Sequence, residues 1–336
     1  FSNDAKGALL LEPTRSNKIT YSEDFSNAAW VKLGAGTGSA AIVTSDYAIS
    51  PDGTQNATRL QCDLNGGLTS SANQSLIYDS YTSSGNQSIS IYVKSNTGSN
   101  QTIYFANTQT SGDTITVTSD WQRFEFSHST APYIVAIGLR GRSGGSIDDT
   151  ADILIYGAQV EQGSYATSYI PNFGNSAGAT RSADVCNNGG NDQVINSTEG
   201  VLYAEISALV NENVLRKIQV NDNTSNNNIT IDYYTSSNSI RANLWNGSSQ
   251  YSYIHTLTDV TLSAKVAFLY KSSEFKFYVN GIKVNESSSG STFSSGTLKT
   301  LDLSTSNGSL PFYGNVKDLR VYNTALTDTE LQALTK

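Results

Sequence analysis

The stretch SLPFYGNVKDLRVYNTALTDTELQALTK, Ser309 to Lys336, reads as one strand followed by a short helix. Its run from Val316 to Tyr322 is β-branched and aromatic, suited to a strand buried on at least one face. Thr327 stands where an N-cap belongs, and Glu330 three residues later completes a capping box. Leu326 and Leu331 flank that cap at the spacing of a hydrophobic staple. Upstream, strands dominate. SISIYVKS (88–95), QTIYFA (101–106), WQRFEFS (121–127), YIVAIGLR (133–140) and DILIYGAQV (152–160) alternate at period two. In the first, Ile89, Ile91 and Val93 point one way while Ser90, Tyr92 and Lys94 point the other. In EFKFYVNGIKVNE, Phe275, Phe277 and Val279 line one face, Asn280-Gly281 supplies a type I′ turn, and Ile282 and Val284 return on the partner strand. The expected fold class is all-β: two consecutive antiparallel β-sandwich (jelly-roll) domains with a short C-terminal helix.

The length of 336 residues suits two domains, and 3 Trp, 19 Tyr and 11 Phe can furnish two cores. Charged residues make up only 15% of the chain, so hydroxyls and amides carry its solubility. No stretch is long and apolar enough to span a membrane. The start at Phe1 and the absence of Met read as a trimmed or processed piece. Residues 1–172 hold 15 acidic and 9 basic side chains, and residues 173–336 hold 14 and 12, for a net charge of −8 overall. That balance argues against nucleic acid and disfavours a strongly anionic glycan, because both demand a basic footprint. Cys62 and Cys186 read as two isolated buried thiols, with a disulfide as the alternative. With only His128 and His255 as companions, they have no zinc-site spacing.

Between Ile170 and Asp192 the periodicity stops and turn formers take over, which places a connector at 173–194 between domains 1–172 and 195–336. The tail and the F-x-F-Y-V-N-G-x-x-V hairpin resemble the laminin-G-like, concanavalin A-like jelly rolls over about 195–336. In the first half, KITYSEDFSNAAWVKLG, AISPDGTQNATRL, SISIYVKSNTG, SDWQRFEFS and ILIYGAQVEQGSYATSYIP form an ordered series. As a set they resemble carbohydrate-binding-module jelly rolls of bacterial glycan-degrading enzymes. GALLLEPTRSN and GAQVEQGSYATSYIP resemble phage tail and virion surface proteins. The resemblance implies non-catalytic, lectin-like recognition of a bacterial surface or extracellular polysaccharide by a phage tail or virion fibre involved in host attachment. Its setting would be extracellular or on the virion surface, as a homo-oligomer or with other virion proteins. The alternatives are an accessory binding region of a secreted polysaccharide-degrading enzyme and a structural virion assembly domain without ligand.

Sugar recognition needs aromatic faces for the C–H side of a pyranose and bidentate polar groups for its hydroxyls. If their strands are neighbours, Tyr92, Lys94, Tyr104 and Arg140 share the outer face of one sheet and meet that need; the bland reading is a solvated sheet face. In LWNGSSQYSY, Trp245, Asn246, Tyr251 and Tyr253 cluster, with Trp245-Asn246-Gly247 read as a hairpin tip that leaves the indole partly exposed. Trp30 and Trp121 read as core. The resemblance also implies a structural Ca²⁺, with Glu23, Asp24 and Asp152 as its ligands, although Tyr156-Gly157 replaces the acidic pair usual late in the last strand. No nucleophile elbow, P-loop or H-E-x-x-H occurs, so an enzyme is unsupported and no catalytic residue is named.

Overall fold

A computed structural model describes residues 7–82, 84–106, 113–129 and 134–336. In chain order its first strands are β1 (Leu9–Leu11), β2 (Arg15–Asn17), β3 (Val31–Ala35), β4 (Ile42–Ala48), β5 (Ala57–Asp63), β6 (Gln74–Ser80), β7 (Gln87–Ser95) and β8 (Gln101–Ala106). There follow β9 (Asp113–Val117), β10 (Gln122–His128), β11 (Ile134–Arg140), β12 (Thr150–Gln162), β13 (Ala179–Arg181), β14 (Glu199–Ala208), β15 (Arg216–Asn221) and β16 (Asn227–Tyr233). The last are β17 (Ser239–Asn246), β18 (Ser249–Thr256), β19 (Ala264–Lys271), β20 (Glu274–Val279), β21 (Ile282–Ser287), β22 (Thr300–Asp302), β23 (Gly314–Tyr322) and helix α1 (Asp328–Thr335). All described pairings between these strands are antiparallel, as the all-β reading expects.

The chain divides into two compact units, Thr14–Ser182 and residues 7–13 together with Ala183–Lys336. These boundaries differ from domains at 1–172 and 195–336. β1 pairs with β23, Leu9 opposite Val316, so the LLL run completes the second unit's sheet. Asp184 reinforces this by accepting the Glu12 amide at 2.8 Å. Residues 179–181 of the expected connector instead form β13, which pairs with β2 and closes the ends of the first unit. Unit 14–182 is thus an insertion in the sandwich that surrounds it in sequence.

In unit 14–182, sheet β10-β7-β12-β5-β4 and sheet β3-β6-β11-β8-β9 contribute the walls of one core. Ile89, Ile91 and Val93 are all fully buried, as their alternation demands. Trp30 is buried against Phe25 with ring centroids 4.8 Å apart, and its indole donates to the Tyr21 carbonyl at 2.8 Å. Trp121 departs from the core expectation. It is half-buried, and its indole donates to the Ile49 carbonyl at 3.3 Å. β12 carries a bulge between Tyr156 and Gln159, with Gly157 at φ 63°, where a side chain would be strained and would meet the Tyr169 ring at 3.2 Å.

The other unit comprises sheets β1-β23-β14-β19-β20-β21 and β18-β17-β16-β15-β22 around a second core. Asn280 and Gly281 both have positive φ between β20 and β21, as a type I′ turn requires. Phe275, Phe277 and Val279 all enter this core. Helix α1 has the full capping box: Glu330 N donates to Thr327 Oγ1, and Thr327 N to Glu330 Oε2. Leu331 is fully buried with Val201, Tyr203, Ala267, Leu269 and Tyr278, joined at the edge by Leu326 and Leu334. Burying that leucine contributes about 2 kcal/mol, and the cap sets where the helix begins. Cys62 is buried, which pushes its thiol up to about 12, whereas Cys186 is exposed; both are free, so the buried-thiol expectation fails for Cys186.

Candidate functional site

Each unit presents one sheet face that combines aromatic and polar side chains. In unit 14–182, register places Arg123 on β10, Tyr92 on β7 and Tyr156 on β12 in one row facing away from the core. The Arg123 guanidinium lies 5.6 Å from the Tyr92 ring centroid, and the Tyr92 and Tyr156 centroids are 6.0 Å apart. Tyr169 meets Tyr156 edge-on at 5.4 Å. Beyond them stand two carboxylates. Tyr156 Oη donates to Asp52 Oδ2 at 2.9 Å and Glu23 Oε1 at 3.3 Å, Tyr169 Oη donates to Glu23 at 2.9 Å, and Asn56 Nδ2 reaches both acids. Burial, reinforced by Asp52 and Glu23, pushes the Tyr156 phenol far up, so it stays a donor. Burial works against the Asp52 carboxylate, but hydrogen bonds from Thr54, Ser50 and Tyr156 prevail and hold it well below the usual range. Glycoside hydrolysis needs one carboxyl raised to act as the acid, the opposite of the direction in which Asp52 is held.

Lys94 lies on the same face, opposite Leu154 and half-buried. Tyr104 and Arg140 do not join it. Their strands β8 and β11 belong to the other sheet, where Tyr104 has 0% exposure and Arg140 lies 5.8 Å from its ring. The expected four-residue platform is therefore split. Alternation alone reports which way a side chain points, not which strands are neighbours.

Glu23, Asp24 and Asp152 do not fit a calcium ion as a set. Asp24 Oδ1 accepts from Ser26 N, Ser26 Oγ and Asn27 N, a local turn. Asp152 is held by both Arg59 nitrogens, at 2.8 and 2.5 Å, and by Asn96. Glu23 faces only neutral donors. Among the described residues no cluster of three His, Cys, Asp or Glu side chains is placed to hold a metal. Calcium wants six to eight oxygens, and these three carboxylates point to different partners.

In the other unit, β17 carries Arg241, Asn243 and Trp245 at period two on the side away from the core residues Ile240, Ala242 and Leu244. The β17–β18 hairpin turns at Gly247 (φ 66°), and Trp245 beside it is 40% exposed. Asn243 sits half-buried between Thr230 and Ser252, with no hydrogen-bond partner for its amide among the described residues. Arg241 grips Asp232 through two bonds, 3.1 and 2.7 Å, and stacks 4.5 Å from the Tyr234 ring. Tyr251 departs from expectation: paired with Leu244, it points inward and stacks between Phe268 (4.9 Å) and Phe275 (5.7 Å). Tyr253 likewise packs against the core, and Asn246 is engaged with the Thr292 carbonyl at 2.7 Å. Arg241 and Asn243 were legible in the pattern IRANLW, where they fall at period two with Trp245.

Residues 207–332 match the Laminin_G_3 family, the concanavalin A-like lectin/glucanases superfamily. No curated protein matches the chain in sequence. Among solved structures, the CBM40 of the Ruminococcus gnavus IT-sialidase, bound to α2,6-sialyllactose, is 16% identical with a TM-score of 0.38, covering 46% of this chain and 95% of that one. Domain 4 of the Geobacillus stearothermophilus arabinanase AbnA, in complex with arabinotriose, is 17% identical (TM-score 0.34; 44% and 70% covered). Domains LG4-5 of the mouse laminin α1 chain are 7% identical (TM-score 0.28; 88% and 93% covered). At these scores the fold rests on the strand pairings themselves. The similarity to the concanavalin A-like lectin/glucanases superfamily thus falls on the unit that holds β17.

Proposed function

We propose that this chain recognises a glycan without cleaving it, through the face of β17 that bears Trp245, Asn243 and Arg241. The observation that carries the reading is a 40% exposed Trp245 aligned with the Asn243 amide, which has no hydrogen-bond partner among the described residues, inside the stretch that matches the lectin/glucanases superfamily. An exposed indole supplies the apolar platform for a pyranose, and the Asn243 amide supplies paired donor and acceptor for its hydroxyls. The ligand we favour is a bacterial surface polysaccharide, met by a phage tail or virion fibre outside the cell. A shallow, wet site of this kind binds weakly, and repetition in an oligomer would make attachment firm.

A glycan array probed with the full chain tests this, run with calcium and again with EDTA. Binding to a defined sugar class should fall about 10-fold or more in Trp245→Ala, in line with loss of an aromatic anchor. It should survive EDTA, because Glu23, Asp24 and Asp152 do not converge. A folded chain that binds no glycan, or that binds equally well without Trp245, would sink the reading.

A further inference from the structure

Unit 14–182 has a cleft of about 370 Å³ near the end of its β4, β5 and β12 strands. Ile42, Gln61 and Asp152 stand side by side across the three strands, and Asp63 faces Thr150 in the next row. These five side chains share one face, with Ala151 also lining the space. Ile42 is 61% exposed, an isolated apolar surface on an edge strand. The half-buried Gln61 amide makes no hydrogen bond among the described residues. Asp63 uses Oδ1 to accept the Asn65 amide at 2.7 Å, and no cation among the described residues lies within ion-pair distance of it. Asp152 is already neutralised by Arg59.

We infer that this cleft is a second ligand site, independent of the Trp245 face, that takes a single sugar ring bearing no acidic group. The volume lies in the lower range of small-molecule pockets, and its lining has the required mixture. Ile42 offers apolar surface to ring C–H groups. Gln61 offers one donor plane and one acceptor to neighbouring hydroxyls, and Asp63 accepts a further one. The uncompensated charge on Asp63 repels a uronate or sialate, giving the site a sign preference as well as a shape.

The test is an NMR titration of the deuterated, ¹⁵N-labelled full chain with D-glucose, D-galactose, D-mannose, N-acetyl-D-glucosamine and D-glucuronate. At least one neutral sugar should saturably shift the Gln61 side-chain amide and the Thr150 backbone amide. Gln61→Ala should weaken that response about 10-fold, Thr150→Trp should abolish it by filling the cleft, and glucuronate should produce none. The Trp245 indole signal reports the other face separately. Shifts at Trp245 without shifts at Gln61 would overturn the second site while leaving the first reading intact. Silence at Gln61 across all neutral sugars, an equal response to glucuronate, or shifts that persist in Thr150→Trp would overturn it too.

Discussion

Arg59–Asp152 in one unit and Arg241–Asp232 in the other are built alike. Each is a two-bond arginine–carboxylate pair on a five-stranded sheet, and each arginine also stacks on a tyrosine, Tyr47 at 5.0 Å and Tyr234 at 4.5 Å. They differ in water. The side chains of Arg59 and Asp152 keep 25% and 23% exposure, whereas those of Arg241 and Asp232 keep 16% and 0%. The Arg59 guanidinium holds the Asp152 carboxyl below the ordinary range, while burial pushes Asp232 up against the pull of its partner. Identical geometry therefore carries two different stakes, and desolvation sets which.

Removing one partner should separate the two cases most sharply. Arg241→Ala strips the buried Asp232 of both its hydrogen-bonded nitrogens, leaving only Lys217 on the neighbouring strand as a cation, and should cost about 3–5 kcal/mol, read as a loss of urea resistance in the unit reported by Trp245 fluorescence. A loss no larger than for Arg59→Ala would break the comparison. An intermediate case sharpens it. Asp79 is buried with no cationic partner among the described residues, and burial pushes its carboxyl up to about 6, against the lowering bond from the Ser80 amide. With a folded pKa above the unfolded one, the native state holds the extra proton, so stability present below about pH 4 is lost as pH rises through 6. Asp79→Asn should then stabilise unit 14–182 by about 3 kcal/mol at pH 7 and by nothing near pH 3.5, measured by thermal melts at both pH values. A gain equal at both would show that ionisation is not the cause. Smallest of all, Arg59→Ala should cost about 1 kcal/mol or less, because water can solvate the Asp152 left behind. A loss of 3 kcal/mol in the same urea experiment would mean that exposure does not govern the difference.

What the sequence discloses follows the range of the interaction. The capped helix at Thr327, the Asn280-Gly281 turn and the burial of Ile89, Ile91 and Val93 depend on residues a few positions apart, and each is legible. Sheet membership is not: Tyr92 and Tyr104 alternate alike, yet β7 and β8 lie in different sheets. The pairing of β1 with β23, which overturns the domain boundary, links residues at opposite ends of the chain. Candidate site residues follow the same rule. Trp245 announces itself beside a turn glycine. Glu23, Asp52, Tyr156 and Tyr169 meet only because a bulged strand and three loops converge, and no local pattern marks that meeting. Tyr251 misleads for a related reason, since only register with Leu244 decides that it faces inward.

The pairing of β1 with β23 bears on time as well as on form. During synthesis β1 emerges before unit 14–182 and its partner strand β23 only after it, so the β1 edge must wait until the whole inserted unit and most of the surrounding sandwich have been made. Unit 14–182 can fold in that interval, and joining β2 to β13 draws Pro13 and Ala183 together, replacing a long closure with a short one. The inserted unit would then act as an internal splint, whose early folding speeds the completion of the sandwich around it.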